Sequence, residues 1–421
     1  MKIKTKKISL SKALAKPRMR HYKPQKPWWI LRLLIRIISI PDLIKTHFKF
    51  TEERMEPVGK EPCLILMNHS SFLDLEIAYR IFFPKPFCIV STTDGMVGKH
   101  WLMRKLGCIP TQKYISDIRL IMDMLYAVRE KNCSILMYPE AGYSFDGRAT
   151  TLPRKLGTLV KKMNIPLVTV ITDGAFLYQP LYNNLQKRKV NVSAHVECLL
   201  TKEEIAQKSV EEIDALIDEA FGFDNFANQL KNNTEINHPK RAEGLERILY
   251  RCPNCNTEGN TVGKGAQLHC NHCGKTYKLS SLGQMEAIRG QTEFSHIPDW
   301  YDWQRNCVLQ EIKSGKYSLD IPVDLGLLID DKALYMVGTG RLKHNQNGFK
   351  LFDDNGDLLH EQLPHISHSA NTDFYWYELG DIICIGNKDR LFYCFIQGVN
   401  VATKTRLAAE ELFKLHKKSQ S

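Results

Sequence analysis

The stretch CLILMNHSSFLDLEIAYRIF, residues 63–82, decides how the chain is read. Its first five residues are apolar without interruption, the pattern of a short strand buried on both faces. LDLEIAYRIF then carries a helical pattern. His69 therefore falls in a strand-to-helix loop and Asp74 in the first helical turn. A carboxylate there reaches back to the loop and hydrogen-bonds one imidazole nitrogen. That bond fixes the tautomer and stabilises the imidazolium formed when the other nitrogen takes a proton.

The spacing alone says little. With 14 histidines in the chain, about 0.7 His-x4-Asp pairs arise by chance. A second pair does occur, His368 and Asp373 in HSANTD, lying between β segments with no comparable context. We take it as a coincidence of structure. The first pair differs because a buried strand precedes it and an ordered series of further blocks follows.

Apolar runs recur at CLILM (63–67), FCIV (87–90), SILMY (134–138) and IPLVTVIT (165–172), with amphipathic stretches such as Asp117–Glu130 between them. Strand and helix in alternation imply an α/β layered domain, placed at 51–235. NNTEINHPK (232–240) reads as a linker, and 236–280 as linker plus a cysteine-rich module. From about Tyr317 the pattern is β: DLGLLI, ALYMVG, GFKLF, FYWYEL, DIICIG and LFYCFI, with Asn-Gly hairpin signals at 347–348 and 355–356. ATKTRLAAEELFKLHKK closes the chain as a helix with its lysines late. Residues 281–421 are thus expected as a small β-rich domain with a terminal helix, in the form of a pleckstrin-homology-type barrel.

At 421 residues the chain exceeds one ordinary core. Its 43% hydrophobic and 25% charged content is that of a folded protein. No run of about 20 apolar residues spans a bilayer. The net charge of +12 is concentrated in residues 1–26, which hold ten Lys and Arg (among them Lys2, Lys12, Arg18, Arg20 and Lys26) and no acid. Nucleic acid and anionic lipid both attract such an arm. The segment that follows, Trp28-Trp29-Ile-Leu-Arg32-Leu-Leu-Ile-Arg36-Ile-Ile, favours lipid. Tryptophans at head-group level and arginines that snorkel mark a helix lying in the interface. Residues 1–50 are accordingly expected to be a basic arm and an interfacial helix, holding the protein peripherally on the cytoplasmic face of the cell membrane. The alternative is a core helix preceded by a free basic tail.

Here a resemblance becomes specific. NHSSFLD, then GCIPTQK ending at Lys113, then YPEAGYSFDGR (138–148), then Ile165-Pro166-Leu-Val-Thr-Val resemble, in order, the blocks of the lysophosphatidic acid and glycerol-3-phosphate acyltransferase family, over about residues 60–200. The resemblance implies acyl transfer from acyl-CoA or acyl carrier protein to a hydroxyl of a lysophospholipid, foremost 1-acylglycerol-3-phosphate, giving phosphatidic acid. It makes His69 the general base and Asp74 its orienting acid. It gives Lys113 the acceptor's phosphate, Glu140 its glycerol part, and Gly142 and Arg148 further substrate contacts. The sequence departs from the family at three points: Lys113 replaces arginine and loses its bidentate fork, Ala141 replaces glycine, and Tyr143 stands where arginine is expected. Arg148, Arg154 or Lys155 is then the source of the missing cation. These departures bear on the acceptor more than on the reaction, so a glycolipid, aminolipid or other lysolipid acceptor stays open.

Cys252-Pro-Asn-Cys255 and Cys270-Asn-His-Cys273 flank 14 residues rich in glycine. Two such knuckles look like a zinc ribbon, with four thiolates closing a structural tetrahedron. His269 and His272 are bystanders to a filled shell. The other eight cysteines sit mostly in apolar runs and are expected to be reduced and buried. Ribbons also bind nucleic acid or protein, which keeps a non-catalytic binding module as the competing function. Only Lys264, Lys275, Tyr277 and Lys278 supply the basic and aromatic surface it needs, so membrane lipid, lysophospholipid and acyl donor are the expected partners and nucleic acid is not.

Overall fold

The computed structural model describes residues 2–113, 117–153 and 156–418. The apolar runs become strands Leu64–Met67, Phe87–Thr92, Ser134–Met137 and Leu167–Asp173. With Lys49–Glu53, Cys108–Thr111 and Ser193–Leu200 they form one seven-stranded sheet. Leu64–Met67 lies near its middle, between Leu167–Asp173 and Ser134–Met137. Neighbours run parallel except for the pair Leu167–Asp173 and Ser193–Leu200.

Side-chain alternation explains why these strands must be apolar throughout. Ile65 and Met67 join the core beneath helix Leu73–Phe82, through Ile77, Ala78 and Phe82. Leu64 and Leu66 join the opposite core, with Met124, Ala127, Ile213 and Ile217. Both faces are covered, so no position is left for a polar residue. The loops after Leu64–Met67 and Ser134–Met137 leave the same edge of the sheet, where α/β folds hold their ligands.

Beyond Lys231 the chain stays packed. The stretch expected as a linker buries Ile236, whose N–H donates to Ser281 O at 2.7 Å. A four-stranded antiparallel sheet follows, and its last strand, Met285–Ala287, lies inside the region expected to belong to the tail. Next comes a helix the sequence did not announce, Ile297–Lys313, with Trp300 and Gln304 fully buried. Trp300, Tyr277 and Leu407 share one core with the α/β sheet.

The tail sheet begins at Leu319. A meander of four strands, Leu319–Leu328 to Leu358–Gln362, is joined through Leu319–Leu328 to Arg390–Ile396, the last of three further strands. Leu319, Ile321, Val323, Leu325 and Leu327 point to its interior. Helix Ala402–Lys418 packs between this sheet and helix Ile297–Lys313. FYWYEL is only half strand: Asn371–Trp376 ends inside it, and Tyr375, Tyr377 and Glu378 adopt left-handed backbone at φ 49°, 46° and 66°.

The basic arm is not free. Thr5–Lys7 adds a parallel strand to Leu334–Met336, and Ile3 and Ala13 are buried. Helix Trp29–Ile38 buries none of its residues. Its arginines turn inward instead of snorkelling: Arg32 donates to Pro84 O at 2.8 Å and Arg36 lies 4.6 Å over the ring of Phe83. The apolar face looks outward, with Trp29 65% and Ile38 64% exposed. Among the described residues no helix is long and apolar enough to cross a membrane.

Candidate active site

His69 sits in the loop between Leu64–Met67 and Leu73–Phe82. Its Nδ1 lies 2.9 Å from Asp74 Oδ2, and the same oxygen accepts the backbone N–H groups of Ser70 at 2.7 Å and Ser71 at 3.0 Å. Asp74 is fully buried in the first turn of its helix, where the exposed N–H groups favour a carboxylate. Three donors on one oxygen leave the side chain little freedom. The imidazole plane is therefore set by a buried anchor, and Nε2 is the nitrogen that Asp74 does not engage.

Two tyrosines hold the ring from either side. The ring centroid of Tyr138 is 4.0 Å away and stacked on it, and that of Tyr143 is 4.2 Å away and tilted by 30°. Burial, with the charge of Asp74 nearby, pushes both phenols far above their ordinary range, so each stays a neutral hydroxyl. Tyr143 thus replaces the family's expected cation with a ring wall.

Glu140 has a different place from the one expected. It is fully buried, and its two oxygens accept the N–H of His69 at 3.0 Å and of Thr150 at 2.9 Å. Burial pushes its carboxyl up to about 7, against those two N–H groups. It ties the His69 loop to the 141–150 loop and does not line the cavity onto which His69 opens. Ala141 pays for the missing glycine with a left-handed backbone at φ 56°. Gly142 is not on the cavity wall, although Ala141 and Tyr143 are. Arg148 is turned away too: it pairs with Asp146 and with Asp302 of helix Ile297–Lys313, each at 2.8 Å, and lines a separate cleft. Arg154 and Lys155 lie outside the described residues.

His69 and Lys113 open onto one cavity of about 1010 Å³. The α/β domain supplies one wall, including Phe72, Val90, Asp94 and Met137. The tail supplies the other, including His368, Asp373 and Trp376. The pair set aside as coincidence thus lies on the cavity wall, and Asp373 reaches Lys113 at 3.9 Å. Phe374 fixes this wall by packing against Phe145 of the 141–150 loop, ring centroids 4.5 Å apart. Apart from the clustering of aromatics at 374–377, no local pattern signals these contacts.

Cys252, Cys255, Cys270 and Cys273 converge, all four sulfurs lying within 4.8 Å of one another. The Cys252–Cys273 and Cys255–Cys270 separations are both 3.8 Å. A tetrahedral zinc with bonds of about 2.3 Å needs sulfurs roughly 3.8 Å apart, so the set fits that ion. His269 is engaged by Thr276 at 2.7 Å.

Residues 47–173 match the model of the Acyltransferase family. Among individual proteins, a stretch of 151 residues is 28% identical to 1-acyl-sn-glycerol-3-phosphate acyltransferase BAT2, chloroplastic, of Brassica napus. That match covers 34% of this chain and 41% of the relative. The crystal structure of PlsC, the 1-acyl-sn-glycerophosphate (LPA) acyltransferase of Thermotoga maritima, is similar at 15% identity and a TM-score of 0.35, over 46% of this chain and 81% of that one.

Proposed function

We propose that the protein transfers a fatty acyl group from a thioester, acyl-CoA or acyl carrier protein, to a free hydroxyl of a lysophospholipid. His69 Nε2 takes the hydroxyl proton as the oxygen bonds to the thioester carbon. The C–S bond then breaks, and the leaving thiolate receives the proton held on the imidazole. Asp74 offsets the imidazolium charge between those two moments. The observation that carries this reading is the 2.9 Å contact from Asp74 to Nδ1 of a histidine facing a lipid-sized cavity. The Brassica napus relative is named for 1-acyl-sn-glycerol-3-phosphate, which makes that lysolipid the acceptor against which others are compared.

Two supporting features belong to the same reading. The outward apolar face of Trp29–Ile38 suits an interfacial helix that brings the cavity to lipid at the cytoplasmic membrane surface. The four cysteines hold a structural zinc that braces the ribbon against the shared core. The test is acyl transfer by membranes carrying the full chain, from either thioester donor to a panel of lysolipids. Wild type should form diacyl product and His69→Ala at least ~100-fold less, the scale of a lost general base. Absence of transfer to every lysolipid, or equal rates in the two proteins, contradicts it.

A further inference from the structure

Lys113 is the buried cation of the cavity among the described residues, and it does not act alone. Asp373 of the tail lies 3.9 Å from its ammonium, with both side chains largely buried. Asp94, 8% exposed, lines the same part of the cavity, hydrogen-bonds Tyr377 and is close enough to Asp373 to repel it. Among the described residues, the head region therefore offers one buried ammonium and two buried carboxylates, the other lysine on the cavity wall, Lys417, being exposed. The packing of Phe374 on Phe145 keeps Asp373 there as part of the wall.

A phosphomonoester brings a charge of about −1.5 to −2 at neutral pH. Placed on Lys113, it meets two carboxylates in a low-dielectric pocket where like charges repel strongly. A head with one anionic phosphodiester and one primary ammonium matches all three groups: the phosphate takes Lys113, and the ammonium takes Asp94 and Asp373. Resting on the acyltransferase reading above, we propose that Asp94, Lys113 and Asp373 form a head-group subsite selecting a zwitterionic, amine-bearing lysophospholipid over a lysophospholipid phosphomonoester. Asp373 is then a specificity residue supplied by the tail, which gives that domain a direct part in acceptor choice.

The test compares lysophosphatidylethanolamine with lysophosphatidate in the full-length protein, reading the ratio of their acylation rates within one preparation. Because it is a ratio, loss of folded protein in a variant cancels. Wild type should prefer the ethanolamine lipid at least ~10-fold, and Asp373→Asn should shift the ratio towards lysophosphatidate by about that factor. Asp94→Asn provides an independent variant and should shift it in the same direction. A wild type preferring lysophosphatidate, or ratios unchanged in both variants, overturns the proposal. So does an equal rise with both lipids in Asp373→Asn, which would make the contact autoinhibitory. Equilibrium binding of the same two lipids to His69→Ala separates this claim from the chemistry. Preference in binding without transfer by wild type would sink the acyltransferase reading and leave the subsite standing.

Discussion

The ring of Tyr143 lies 4.2 Å from that of His69 and tilted by 30°, closing the face opposite Tyr138. An aromatic pair of this kind is worth about 0.5–1.5 kcal/mol beyond its buried area. Tyr143→Ala should therefore lower kcat roughly 3- to 10-fold by loosening the imidazole, while Tyr143→Phe stays within about 2-fold. Steady-state rates for both variants check this. A Phe variant as slow as the Ala variant would assign the hydroxyl, not the ring, the important part.

Glu140 makes folding stability depend on pH. Its carboxyl stands at about 7 in the folded protein against an ordinary 4.5, chiefly through burial. Below pH 4.5 both folded and unfolded chains hold the proton. Between 4.5 and 7 only the unfolded chain releases it, so stability falls as pH rises through that window and levels off above it. Glu140→Gln removes this contribution. The stability advantage of wild type over the variant should shrink by up to about 3 kcal/mol from pH 4.5 to 7.5 in urea titrations. Parallel stability curves would contradict the placement of this carboxyl.

The cysteine cluster should hold one zinc per chain. Cys270→Ser breaks the tetrahedron and should release the metal and lower Tm by more than about 5 °C, whereas His272→Ala should retain both. Elemental analysis with thermal melting decides it. Full zinc occupancy in the Cys270→Ser protein would rule out the four-thiolate site.

Helix Trp29–Ile38 exposes its apolar face and turns its arginines inward. Burying one isoleucine side chain is worth roughly 1.5–3 kcal/mol. Ile37→Glu should accordingly cut partitioning onto phosphatidylglycerol-containing vesicles at least ~10-fold. Unchanged co-sedimentation would place the membrane contact elsewhere.

What the sequence revealed follows the range of the contacts involved. Leu64–Met67 and its neighbouring strands are legible because burial on both faces forces unbroken apolar runs. His69 and Asp74 meet across one loop, and each cysteine knuckle closes within four residues, so their geometry is nearly local. Arg148 shows the opposite: its partner Asp302 is 154 residues away, and nothing near Arg148 announces it. Asp373 reaches Lys113 from another sheet, so its place on the cavity wall has no local period to reveal it. Helix Ile297–Lys313 was hidden for a different reason. Its buried residues Trp300, Tyr301, Gln304, Val308 and Ile312 do share one face, but a buried glutamine interrupts the apolar stripe that would announce it.

The central claim is that His69 and Asp74 act as one unit in moving a proton. A double-mutant comparison of acyl-transfer rates tests it, using His69→Ala, Asp74→Asn and the two combined, with exposed His195→Ala as control. The account predicts that His69→Ala loses at least ~100-fold and that adding Asp74→Asn costs less than about 3-fold more, because groups acting as a unit are not additive. The control should match wild type. Losses that multiply in the double variant, or a His69→Ala protein as fast as wild type, would contradict it.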